Sequence, residues 1–260
     1  MSIINLVDCN NIVRVRFEKD GYALRNLFEW AFRDPEPHIF VFDGKNAKAS
    51  RRAIFPGYKV GRTPAPDNFY RQLEIFQELL TYTNKVQMKV PLFEADDAIA
   101  SMVFNNPTAK FRVHSNDGDF ARLINENVEM TTPTLKDIPA HEIRLYKTLK
   151  GDGADKIPGV RLYGQKSWEG MTQAHKDNWY KLLAHLETLD PASETASIAT
   201  GGLNLTDGQQ AWLLENWRLV RSFWLVVDFL KVPAETMAQH TVVGTPRYAL
   251  GDSLLKELLL

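Results

Sequence analysis

The sequence predicts an α/β fold, a mostly parallel central sheet flanked by helices, followed by a helical half. Short β-branched and aromatic runs at Ile3–Val7 and Ile39–Phe42 each end on an aspartate, Asp8 and Asp43; Phe111–His114 and Val128–Thr131 are of the same kind. Helical periodicity is clearest at Asn68–Thr81, behind the stop–start signal of Pro64 and Pro66, and at Ala95–Phe104. Strands alternating with helices imply a sheet of parallel strands. Ligands of such sheets gather at the carboxyl ends of the strands, where Asp8, Asp43 and Asp117 fall.

From Pro139 onward the patterns are helical: Ala140–Lys150, Gln165 to about Ala174, Asp177–Leu189 and Thr206–Lys231, with Asp190–Gly202 a Ser/Thr/Ala/Gly-rich loop. The expected division is an α/β half over residues 1–134 and a helical half over 135–260, packed as one body. Hydrophobic residues make up 44% and charged residues 24%, ordinary values for a globular protein. The single cysteine, Cys9, excludes an internal disulfide and a thiolate zinc site, and the six histidines form no ligand spacing. No signal peptide is evident in MSIINLVD, and the longest apolar stretch, Phe223–Leu230, is broken by Asp228 and far short of the ~20 residues that span a bilayer. The expectation is a soluble, cytoplasmic protein without membrane association.

A net charge of −1 argues weakly against nucleic-acid binding, but the average hides a distribution. Between Gly44 and Arg71 the cations are Lys45, Lys48, Arg51, Arg52, Lys59, Arg62 and Arg71 and the one acid is Asp67, a local net of +6. Such a patch attracts phosphate whatever the global sum.

Three acidic groupings stand out. Glu94-Ala95-Asp96-Asp97 opens a helix, where capping explains one or two acids; three within four residues repel each other unless a cation sits among them. Ser115-Asn116-Asp117-Gly118-Asp119 follows a strand and is equally readable as an Asx-turn; it does not continue as a calcium EF-hand loop. Gly151-Asp152-Gly153-Ala154-Asp155 is a Gly/Asp turn in the helical half. With Asp8 and Asp43 these make nine carboxylates, and setting them aside leaves 23 acids against 31 Lys and Arg, a net of +8. Hard oxygen ligands without His or Cys suit Mg²⁺ or Mn²⁺, and shared carboxylates are how a two-metal phosphodiesterase is built.

In the order Leu6-Val7-Asp8, Phe42-Asp43, Arg51, Pro56-Gly57-Tyr58-Lys59-Val60-Gly61-Arg62, Glu94-Ala95-Asp96-Asp97, Asn116-Asp117-Gly118-Asp119 and Gly151–Gly159, the sequence resembles the flap endonuclease/5′–3′ exonuclease family, in the small stand-alone form of bacteriophages. The resemblance covers roughly residues 3–168. It implies a PIN-like 5′-nuclease fold and a structure-specific DNA phosphodiesterase that acts on 5′ ends or 5′ flaps by two metal ions. It implies Asp8, Asp43, Glu94, Asp96 and Asp117 around the more reactive ion, and Asp119, Asp152 and Asp155 around the second, with Asp97 nearby. It also implies catalytic Lys59 and Arg62 projecting from a helical arch over about 45–71, phosphate binding by Arg51, and stacking of Tyr58 on a base; unaided, Lys59 and Arg62 read as a solvated helix face.

Residues 140–175 resemble the family's helix–three-turn–helix, which implies duplex binding through Gly159, Gly164 and Lys166, with K⁺ as a companion cation. Leu162-Tyr163-Gly164 departs from the usual Gly-Ile-Gly there, which puts the tightness of duplex binding in question. After Trp168 the resemblance fades, and Trp179, Trp212, Trp217 and Trp224 read as core. RNA–DNA hybrids are a further partner class, and a monomer is expected. Competing readings are a catalytically inactive structure-specific DNA-binding protein, disfavoured because none of the nine acids is replaced, and a PIN-type ribonuclease, disfavoured by the chain length and the Gly151–Lys166 segment. A phosphatase or Toprim-type enzyme explains neither Tyr58–Arg62 nor the helical half.

Overall fold

The computed structural model describes residues 2–20, 24–132, 135, 137–192 and 197–259. The expected boundary at Thr134 and the centre of the Asp190–Gly202 loop lie outside them. The described residues form two units: residues 1–47, 63–140 and 229–260, and residues 48–62 and 141–228. The chain therefore does not divide once in sequence order. The segment 48–62 belongs with the helical unit, and residues from Phe229 return to the α/β unit.

The first unit holds β1 (Ile4–Asp8), α1 (Cys9–Asp20), α2 (Leu24–Arg33) and β2 (His38–Asp43). The second then contributes α3 (Ala49–Ile54), and the first continues with α4 (Asp67–Leu80), β3 (Val86–Val90), α5 (Ala95–Asn105), β4 (Phe111–His114), a 3₁₀ turn (Gly118–Leu123) and β5 (Val128–Met130). The second adds α6 (Ile143–Lys150), α7 (Gln165–Glu169), α8 (Gln173–Thr188), α9 (Asp207–Glu215) and α10 (Trp217–Val227); α11 (Ala234–Gln239), β6 (Thr241–Val243) and α12 (Tyr248–Leu259) complete the first. The helix expected over Thr206–Lys231 is two helices, parted at Asn216. The arch expected over 45–71 is a six-residue helix, α3, then turns through Gly61 and residues without regular structure to Pro66. Pro56 and the Pro64/Pro66 pair stop helical continuation there.

The sheet runs β5-β4-β1-β2-β3-β6, parallel except for the antiparallel edge strand β6. Central strands are buried on both faces, which is why INLVD and HIFVFD read as apolar runs rather than alternating ones. Sequence order reverses beside β1: the chain leaves it for β2 and β3, then returns to β4 on its other side. The core on one face packs Leu27, Phe28 and Ala31 of α2 and Phe69, Phe76, Leu79 and Leu80 of α4 against Val7, Phe40 and Phe42, and Leu255 of α12 joins it. No helix among the described residues is long and apolar enough to cross a membrane.

Candidate metal centre and nucleic-acid surface

Asp8 ends β1 at the point where strand order reverses, the usual ligand crevice of an open α/β sheet. Its carboxylate is buried, at 7% exposure, yet accepts from Ser115 Oγ at 2.9 Å and from the Asn11 N–H at 3.2 Å. Burial first, then the charges of Asp43 and Asp117, push its pKa from 3.8 up to about 7. These three acids therefore share one electrostatic site at the ends of β1, β2 and β4.

Asp43 is placed by backbone geometry. A Cβ on the following residue, Gly44, would lie 1.7 Å from the Val90 carbonyl oxygen, so only glycine lets the end of β2 pass this close to β3. Asp43 then accepts from the Ala95 N–H at 2.9 Å, which ties the end of β2 to the start of α5, and its own N–H donates to Asn10 Oδ1 at 3.0 Å. Glu94 caps α5 through its side chain, reciprocated by Asp97, with Asp96 half-buried in the same turn. Asp117 accepts from the Asp119 N–H at 2.9 Å and opens the 3₁₀ turn that carries Asp119.

Asp97 is the third residue of α5. It is fully buried, and its two oxygens accept from the Glu94 N–H at 3.3 Å and the Leu230 N–H at 2.7 Å. Its carboxylate fastens the returning chain to α5.

In the second unit, Asp152 and Asp155 sit in the turn between α6 and α7. Asp152 and Ile157 exchange backbone hydrogen bonds of 2.8 and 2.9 Å, closing the loop. The Asp152 carboxylate accepts from Ala154 and Asp155 N–H groups and pairs with Lys147 Nζ at 2.8 Å. Burial works to raise its pKa, but Lys147 and these N–H groups outweigh it and hold the carboxyl below the ordinary value. Asp155 meets Lys59 Nζ at 3.5 Å, and its carbonyl accepts the Lys59 N–H at 2.9 Å.

Three expected DNA contacts are structural. Tyr58 is 1% exposed in an apolar cluster with Ile157, Phe223, Val226 and Val227, so it cannot stack on a terminal base. Arg51, also buried, donates to the carbonyls of Val226 and Asp228 at 2.7 Å each, which joins α3 to the end of α10 rather than binding phosphate. Gly159 is buried with φ +73°, and a Cβ there would stand 2.4 Å from the Gly151 nitrogen, so it serves a backbone crossing. Lys59 lies in a turn with φ +50°, its ammonium 4.8 Å from the centre of the Tyr58 ring, not on a helix face. Arg62, Gly164 and Lys166 are exposed.

Sequence reasoning missed Ser115, Asn10 and Asn11. Ser115 Oγ both donates to Asp8 and accepts the Asp117 N–H at 3.0 Å, and Asn11 Oδ1 accepts the Asn116 N–H at 2.9 Å. The Asn10-Asn11 pair, one residue beyond the β1 aspartate, was the available signal.

Residues 22–148 match the model of the 5′–3′ exonuclease N-terminal, resolvase-like domain. Over that segment the chain is similar to this domain. It is 30% identical over 227 residues, 81% of its length, to the thermostable DNA polymerase I of Thermus aquaticus, of which it spans 26%. It is 31% identical over 159 residues to a 5′–3′ exonuclease of Aquifex aeolicus, covering 55% of each chain. The chain thus spans about a quarter of the polymerase and about half of the exonuclease. Bacteriophage T5 5′-exonuclease with bound divalent zinc shares the fold, with a TM-score of 0.62 at 18% identity, over 100% of this chain and 98% of that one. The T5 D15 flap endonuclease in complex with DNA and metal ions matches with a TM-score of 0.56 at 17% identity, over 98% of this chain and 97% of that one.

Proposed function

We propose that the chain is a divalent-metal-dependent 5′-nuclease that hydrolyses DNA phosphodiester bonds near a 5′ end or at the base of a 5′ flap. The observation that carries this reading is Asp8, buried beside two further carboxylates at the strand-order reversal and raised to about 7. A folded site that keeps three acids together is suited to hard cations, and its oxygen-only donors fit Mg²⁺, with Mn²⁺ as substitute. Asp8, Asp43, Glu94, Asp96 and Asp117 would hold the more reactive ion, and Asp119, Asp152 and Asp155 the second. Bound there, the ions supply an acidified water and neutralise charge on the leaving oxygen.

The chain's own groups do the positioning. Ser115 and Asn11 fix the Asp8 carboxylate, and the Ala95 N–H fixes Asp43. Lys59 and Arg62 are the cations assigned to the scissile phosphate, and Lys166 to the duplex backbone, with K⁺ as a companion ion of the helix–three-turn–helix. Action as a monomer, inside the cell, on DNA and on RNA–DNA hybrids belongs to the same proposal. The test is product sizing on a denaturing gel from matched duplex and 5′-flap substrates. Cleavage should require Mg²⁺ and fall at the single-strand/duplex junction, and Asp117→Asn should abolish it while binding in Ca²⁺ persists. Flap cleavage that proceeds in EDTA, or at full rate in Asp117→Asn, would remove the metal reading.

A further inference from the structure

We propose that Leu162 presses against the sugar edge of a bound duplex and makes the chain favour deoxyribose over ribose there; this rests on the nuclease reading and deepens it. The Tyr163 N–H donates to the Val160 carbonyl at 3.0 Å, closing a four-residue turn. Leu162 stands third in that turn with φ +57°, and Arg161 before it is not in the left-handed region. That is a type II turn, whose third position ordinarily takes glycine because a Cβ is strained there. A leucine retained at such a position is explained if its side chain is used.

The turn is pinned on all sides. The Val160 N–H donates to the Leu149 carbonyl at 2.8 Å, Gln209 Nε2 donates to the Arg161 carbonyl at 3.3 Å, and the Tyr163 side chain is buried. Leu162 is nevertheless 83% exposed, more than any other exposed large apolar residue among the described ones. Lys156, Arg161 and Lys166, near it in sequence, are exposed, and no acid occurs between Lys156 and Lys166.

An apolar tip held rigidly in a cationic run matches a surface that is itself apolar and anionic. The edge of a DNA duplex, with sugar C–H groups between phosphates, has that character. A ribose places its 2′-hydroxyl on the same edge. Leucine offers that hydroxyl no hydrogen bond, so pressing the two together desolvates it without compensation.

The test uses the full chain in Ca²⁺ and fluorescence anisotropy. The probes are a DNA duplex and two hybrids of the same sequence, with ribose in either strand. The wild type should bind the DNA duplex about tenfold more tightly than one of the hybrids. Leu162→Gly and Leu162→Asn, both residues that accept the left-handed backbone, should lose most of that ratio by losing affinity for DNA. Their melting temperatures should equal or exceed that of the wild type, since strain is relieved. Variants that keep the wild-type ratio, or a wild type with no preference, would overturn the inference. If Mg²⁺-dependent flap cleavage is intact in that case, this inference alone fails; a wild type that neither cuts flaps nor binds duplex fails the nuclease reading with it.

Discussion

Asp8→Asn should make the metal-free protein more stable at mildly alkaline pH and no more stable in acid. Asp8 rises from 3.8 to about 7 through burial, then Asp43 and Asp117. An acid whose pKa is higher folded than unfolded favours the fold below its unfolded value and loses that contribution as pH rises through the folded one. With the folded value at about 7, ionising Asp8 costs about 4 kcal/mol by about pH 8. Asparagine carries no charge and escapes this cost. It has one acceptor oxygen where the carboxylate accepts from both Ser115 and Asn11. One of these donors is then left short, at about 1 kcal/mol.

The net gain is about 3 kcal/mol at the alkaline end, which at ~2–4 °C per kcal/mol for a chain of this class is roughly 6–12 °C. Near pH 4 the sign should turn slightly against the variant. The assay is differential scanning calorimetry of both proteins in EDTA across that range, reading only the difference between their midpoints. Groups common to both, such as the buried histidines, then cancel. A difference independent of pH would refute the claim that Asp8 ionises against buried like charge. Adding Mg²⁺ should stabilise the wild type more than the variant, since a ligand that binds only the folded state raises stability by an amount that grows with the logarithm of its affinity.

His38 and His114 should set the acid limit. Burial lowers both, His114 to about 4, so stability present above the unfolded value of 6.5 is lost as pH falls through that window; His114→Gln should flatten the acid side of a melting-temperature profile, and an unchanged slope would clear that residue. Arg51→Ala should lower the melting temperature by unpairing two carbonyls, at about 1–3 kcal/mol each, while the salt dependence of DNA binding stays unchanged; a shallower salt slope would restore Arg51 as a phosphate contact. Lys59→Ala should slow single-turnover cleavage about a hundredfold at saturating DNA, as loss of a well-placed transition-state donor does; an effect confined to affinity would make it one contact among many. Lys147→Ala should tighten Mn²⁺ binding measured by calorimetry, because Asp152 no longer has the ammonium at 2.8 Å; weaker or equal binding would exclude competition.

The strands ending in Asp8 and Asp43, the helices at α4 and α5 and the acidic turn after β4 were legible because each carries a local signal: an apolar run, a proline stop, a capping acid. α1 was not, because its NNIVRVRF stretch alternates β-branched with polar residues and has no helical stripe. β3 and β6, five and three residues long, are too short to declare themselves. The role of Asp97 was half legible, since an acid three residues after Glu94 is a capping signature. The burial of Arg51 and Tyr58 could not be read locally. Arg51 is held by carbonyls 175 and 177 residues away, and Tyr58 by side chains from α10 and Ile157. A basic segment identifies a surface that attracts phosphate; which of its cations face outward is decided by partners the segment does not contain.

The two sets of candidate ligands are held in opposite ways, and that bears on how cations would load. At Asp8 the neighbouring influences include two carboxylates, so the protein bears a repulsion that a cation relieves on binding. Asp152 and Asp155 each already have an ammonium, Lys147 and Lys59. A cation arriving there gains the carboxylates only as those ammonium groups give way, so part of its binding free energy is spent on displacing them. The strand-end acids should therefore bind the tighter ion and the loop acids the weaker one. Displacement also has a direction: an ammonium released from Asp155 is a cation without its counter-charge, and the proposed function assigns Lys59 to the scissile phosphate. On that argument, loading the weaker ion and freeing Lys59 to engage a phosphate are coupled, and each should favour the other.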